Sequence, residues 1–235
     1  MIRSTIEVRS TILIFLVNIC ILTGTVWGQR FSIGVTAGVN SSQLDGDDYT
    51  GFDKLGKRFG IRSEANISQL TDMVIELLYT EKGARFQLNK AISTDGSKSR
   101  IIHLNYAEVP ILFRCFFKQR YHSFFEVGVS LAYLIKDKYE VQTEEGIGLE
   151  QFQALSPYFR RNEWNGVFGF GYQFNKNIGL FFRATVALQE VYQRPQGEVD
   201  QNQGQNYIWV GNGGSDSQIL RLRNYHISAG AFYML

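Results

Sequence analysis

Polar and apolar residues alternate with a period of two along most of this chain. In residues 30–40, Phe31, Ile33, Val35, Ala37 and Val39 are apolar, while Ser32, Gly34, Thr36, Gly38 and Asn40 are small or polar. A strand with one oily face and one wet or crowded face has this pattern. Seven more segments repeat it, at residues 58–67, 73–85, 101–116, 123–134, 164–174, 178–189 and about 219–235. The last could pair back onto the first. Pro110 falls inside the fourth segment; it cannot donate to a ladder, so a bulge or irregular pairing is expected there.

The connections alternate in length. Residues 68–72, 117–122 and 175–177 are short, whereas residues 41–57, 86–100, 135–163 and 190–218 are long and polar. Short turns at one end and long loops at the other characterise outer-membrane barrels. The pattern therefore predicts an all-β fold: an eight-stranded antiparallel up-and-down transmembrane β-barrel with four long external loops and short periplasmic turns. A secreted lipocalin-like fold is the soluble rival, since periodicity does not say which face is wet. Gly and Ser crowd the polar phase, as a narrow interior needs, and Tyr79, Tyr133, Tyr172 and Tyr233 sit near the ends of apolar faces, as interfacial anchors do. Both features favour the membrane.

Composition agrees. Aromatic residues make up 14%, with 23 Gly and 3 Pro. The slightly negative mean hydropathy decides nothing, because a barrel hides its apolar half in alternation. A net charge of +2 with 20% charged residues lacks the basic field that nucleic acid demands. The N-terminus reads as a signal peptide over residues 1–28, with Arg3 and Arg9 ahead of an apolar run at 11–23 and Val26-Trp27-Gly28 as the cleavage site. The barrel domain is then residues 29–235. Cys20 lies in the leader, so Cys115 is left without an intramolecular partner.

On the polar phase the strands carry Arg58, Arg62, Arg114 and Arg183 against Glu64, Glu76, Glu108 and Glu126. Isolated charges are costly to bury, but paired and hydrogen-bonded ones are tolerated. Eight strands leave room for side chains and not for a channel. These residues are expected to form a lumenal, structural charge network.

Several stretches resemble the PorT-like small outer-membrane β-barrel proteins of Bacteroidetes-type bacteria: GVTAGVNSSQLDGDDYTGF at 34–52, ELLYTEKGAR at 76–85, LNYAEVPILFR at 104–114, FFEVGVSLAYLI at 124–135 and FRATVALQEV at 182–191. The resemblance implies an eight-stranded outer-membrane barrel, usually without an assigned activity. One member type serves the type IX secretion machinery.

Candidate chemistry is thin. His103, His122 and His226 are scattered, without metal spacing. His226-Ile227-Ser228 resembles the His-x-Ser pair of outer-membrane lipid A deacylases, yet its phase points to the lumen and no acidic orienter is near. Asp45, Asp47 and Asp48 in the first loop are candidate contacts, but Tyr49 breaks the calcium-loop pattern. Tyr207 and Trp209 in the last loop could stack on a sugar or dock a partner. No cofactor is expected and no catalysis. The expected partners are the lipid bilayer and an envelope protein, with the barrel itself monomeric. The expected role is structural or interactive through the external loops; the alternatives are an accessory of a type IX-like secretion machinery and a lipid-modifying enzyme.

Overall fold

The computed structural model describes residues 31–45, 52–87, 97–143, 159–193 and 221–235. Among them run nine strands: β1 (Phe31–Asp45), β2 (Lys54–Asn66), β3 (Thr71–Gln87), β4 (Ser97–Phe116), β5 (Ser123–Thr143), β6 (Asn162–Gln173), β7 (Ile178–Ala187), β8 (Tyr192–Gln193) and β9 (Arg221–Met234). Each of β1 to β6 pairs antiparallel with the next, β7 pairs with β9, and β9 closes onto β1 with Ala37 opposite Ala231. Eight strands thus form a closed barrel with no free edge. The two-residue β8 adds a flap on β9.

The alternation sets the two faces. Phe31, Ile33, Val35, Phe59, Ile61, Phe168, Phe170 and Leu180 are exposed on the outside, while their neighbours Gly34, Arg62, Gly169 and Gly179 are buried inside. An apolar exterior around a polar interior inverts a soluble protein, and it suits hydrocarbon. The lipocalin-like rival, with its oily face inward, does not describe this chain.

Six of the strands outrun their predicted limits on the loop side, while β7 stops at Ala187 and β9 begins at Arg221, each two residues short of its predicted limit. β1 continues to Asp45, β2 begins at Lys54, and β4 and β5 reach 20 and 21 residues. About 9 to 11 tilted residues suffice to cross the hydrocarbon, so β4 and β5 raise a wall well beyond it. Polarity there had suggested loops, but backbone pairing continues where one face is already in water. At the other end, the connections at residues 67–70, 117–122 and 174–177 are short. Asp72 belongs to β3 and not to the first of these turns.

Pro110 does not shift the register. It pairs with Ser130 in a continuous β4–β5 ladder, and only the β3 side lapses there, between the Ile75–Ile111 and Leu78–Glu108 pairs. The register shifts in this wall lie elsewhere, one between Ser97 and Ser99 and one where Ile135 is the extra residue between Asn105↔Lys136 and Tyr106↔Leu134. Proline needs only one of its two edges unpaired, and β4 supplies that on its β3 side.

Candidate functional site

The lumen is filled in three layers. The lowest is an aromatic floor of Phe116, Phe124, Phe181, Phe232 and Met234, each no more than 5% exposed. Phe124 packs near Phe116 and Phe232 with ring centroids 5.8 and 6.3 Å apart.

Above it lies a dense set of ion pairs. All eight lumenal residues named from the sequence are buried. Arg62 Nε bonds Glu64 Oε1 at 2.7 Å, its Nη2 bonds Glu126 Oε1 at 3.1 Å, and its Nη1 bonds Glu76. Arg183 reaches Glu76 Oε2 and Glu126 Oε2, both at 2.7 Å. Arg114 reaches Glu64 at 2.7 Å and Glu126 at 3.1 Å, and donates to Gln173 at 3.2 Å. Arg58 donates to Ser228 Oγ at 2.7 Å and lies 3.7 Å from Glu76. The guanidinium groups also sit on the floor: Arg62 over Phe232 at 4.3 Å, Arg183 over Phe181 at 4.3 Å, and Arg114 over Phe124 at 4.6 Å. Charge pairing, hydrogen bonding and cation–π contact together offset the loss of water.

Glu108 stands apart from that set. It faces Lys82 at 3.6 Å and accepts from Ser130 at 2.8 Å. Lys82 bonds Glu163 at 2.9 Å, and Asn224 donates to Glu163 at 3.4 Å. This upper group rests on Lys82 and Glu163, which the sequence reading missed. Lys82 shares the phase of Glu76 and Thr80, so the alternation itself could have found it. Glu163 falls just ahead of residue 164, where the sixth apolar alternation begins in the sequence, and inside β6 as it folds. His226 and Ser228 are both 1% exposed and point into the lumen. They lie away from the lipid on which a deacylase would act.

The roof is aliphatic and aromatic. Leu44, Ile102, Leu104, Tyr106, Leu134, Tyr139, Phe159, Val191 and Leu222 form one buried cluster over the upper charges. Among the described residues no group of His, Cys, Asp or Glu is arranged to hold a metal. Cys115 faces outward, half-buried, 3.9 Å from Thr71 Oγ1. Asp45 ends β1 opposite Arg223 and so is a strand residue, not a loop residue. Asp47, Asp48, Tyr207 and Trp209 lie outside the described residues.

A closed antiparallel barrel of eight strands, apolar outside and polar inside, defines a small integral outer-membrane protein. The family described as "Outer membrane protein beta-barrel domain" matches residues 24–193, and the chain belongs to it. Its place is the outer membrane. The chain is similar to the attachment invasion locus protein Ail of Yersinia pestis, solved with the heparin analogue sucrose octasulfate, at 9% identity over 88% of this chain and 99% of that one, with a TM-score of 0.40. It is also similar to Neisserial surface protein A at 11% identity, 86% and 96% coverage and TM-score 0.38, and to OprG of Pseudomonas aeruginosa at 8% identity, 87% and 94% coverage and TM-score 0.39. The chain matches no curated protein.

Proposed function

We propose that this protein is a sealed, non-catalytic barrel whose work is done by its external wall and loops, as a monomer that engages an envelope partner. The single observation that carries the reading is the three-layered lumen, with floor, charge lattice and roof each made of buried side chains. A filled interior leaves the outer surface as the place for interaction, and β4 and β5 carry that surface well past the hydrocarbon. Residues 1–28 would direct export and be removed. Crosslinking in intact outer membranes, followed by mild extraction, tests this. A reproducible partner lost on truncating the loops supports it; a partner set that survives truncation of all four loops overturns it.

The alternative reading is an accessory of a type IX-like secretion machinery, the role of one member type of the PorT-like barrels that several segments of this chain resemble. A deletion strain that fails to release secreted cargo supports that assignment, and normal secretion removes it. The lipid-modifying alternative has against it the lumenal burial of His226 and Ser228.

A further inference from the structure

The outside of the barrel is not uniform just beyond its apolar band. Phe59 on β2 pairs with Tyr79 on β3, Tyr79 with Ala107 on β4, and Ala107 with Tyr133 on β5. The Phe59 and Tyr79 rings lie 5.3 Å apart. This row marks the level where hydrocarbon meets headgroups. Two residues further out the character changes: Glu81 pairs with Asn105, and Asn105 with Lys136. One step further, His103 pairs with Lys138.

The Ile135 bulge creates this arrangement. Up to Leu134 the even-numbered residues of β5 face the lumen. Were the alternation to run unbroken through Ile135, Lys136 and Lys138 would follow them inward. With the bulge they are exposed, and Tyr139 turns in instead. Bulges re-aim side chains in this way. Arg161 joins from the next strand's approach: its carbonyl accepts from the Leu134 amide at 2.7 Å, and its guanidinium donates to the Tyr133 hydroxyl at 3.4 Å. Lys57 on β2 is exposed as well. The nearby carboxylates are Glu81, which accepts from Tyr79 at 3.4 Å, Glu140, which holds Lys138 at 2.7 Å and faces His103 at 3.6 Å, and Asp137, whose charge acts on Arg161. Among the described residues neither Lys136 nor Arg161 is in ion-pair contact with a carboxylate, and Lys57, Lys136, Lys138 and Arg161 outnumber Glu81, Asp137 and Glu140. On the far flank β9 offers Arg223, opposite Asp45.

We propose that this flank binds the phosphate groups of the outer-leaflet glycolipid, of lipid A type, through Lys136, Lys138 and Arg161, with acyl chains lying on the Tyr79–Tyr133 row. Charge complementarity selects this occupant. The loop end of the barrel faces outward, and the anionic groups at that level belong to phosphorylated glycolipid.

The test uses the full-length protein made in an outer membrane, extracted in mild nonionic detergent, washed, and assayed for phosphorus and 3-hydroxy fatty acid per barrel. The wild type is expected to retain glycolipid. The Lys136→Gln/Lys138→Gln/Arg161→Gln variant is expected to hold it roughly fivefold more weakly for each cation removed. Arg223→Gln, on the far flank, is expected to match the wild type. A heat-modifiable gel band verifies that each barrel is folded. Equal retention by the triple variant, no retention by the wild type, or retention of glycerophospholipid alone overturns the proposal. Phosphatidylcholine vesicles with and without purified lipid A give a second reading: wild-type barrels enrich lipid A around themselves and the triple variant does not. Loss of this site would leave the loop-partner reading untouched, because crosslinked proteins and bound glycolipid are separate readouts.

Discussion

Glu76 is held by Arg62, Arg183 and Arg58 in a space with no water-exposed atoms on its side chain. Replacing it with Gln keeps the shape and removes the charge that three guanidinium groups share. Breaking a buried pair from one side costs about 3–5 kcal/mol, because a desolvated charge is left behind. Glu76→Gln should therefore lower the urea midpoint of the folded band strongly, while Lys57→Gln on the exposed wall should change stability by less than about 0.5 kcal/mol. A steric prediction belongs beside this one. A Cβ on Gly171 would meet the ring of Phe124, and one on Gly179 the ring of Phe232. Gly171→Val should cost about 1–3 kcal/mol by overpacking the floor, while Gly166→Ala, whose Cβ meets only the Leu188 side chain at 3.6 Å, should be mild in the same titration. The lumenal charges could be read from the chain because a one-residue phase assigns each strand residue to a face. How they divide could not. Glu108 belongs with Lys82 because of height in the barrel, and height depends on strand stagger, which alternation does not encode.

At the scale of the strand, alternation locates elements and leaves their ends open. Residues 41–45 and 135–143 are polar enough to pass for loop, and they are nonetheless paired strand. Nothing local distinguishes a wetted strand from a loop, because the ladder partner that keeps it straight lies elsewhere in the chain. The Pro110 expectation of a bulge or irregular pairing holds in part, since pairing to β3 lapses there but no bulge forms, and for a related reason. The chain shows a missing donor but not that the donor's side of the strand is already unpaired. The Ile135 bulge allows a sharp test. Deleting Ile135 would let Lys136 follow Leu134 as the outward residue and make the β4–β5 ladder continuous from Ser99 to Phe116, with every other face unchanged. Deleting Val129 would turn one side of β5 inside out and carry its apolar residues into the lumen. The Ile135 deletion should still give a heat-modifiable band, with a modest fall in urea midpoint, and the Val129 deletion should give none. If both deletions fold alike, register in β5 is not set by its two faces.

At the scale of the molecule, the question is whether anything passes through. Steady current needs a continuous wet path, and here three unlike materials block the lumen in series. The floor is aromatic and lies under guanidinium planes. The middle is a lattice in which each arginine meets at least one glutamate. The roof is an apolar cluster drawn from β1, β3, β4, β5, β7 and β9 and the segments beside them. Because the blocks are in series, removing one should not open the barrel. Wild-type protein in a planar bilayer should therefore show no steady current, and Phe232→Ala, which thins the floor alone, should stay equally silent because charge lattice and roof remain. A single-site floor variant that conducts would mean that the upper two layers rearrange freely. A conducting wild type would sink the sealed-barrel reading altogether and return the lumen to the list of places where this protein does its work.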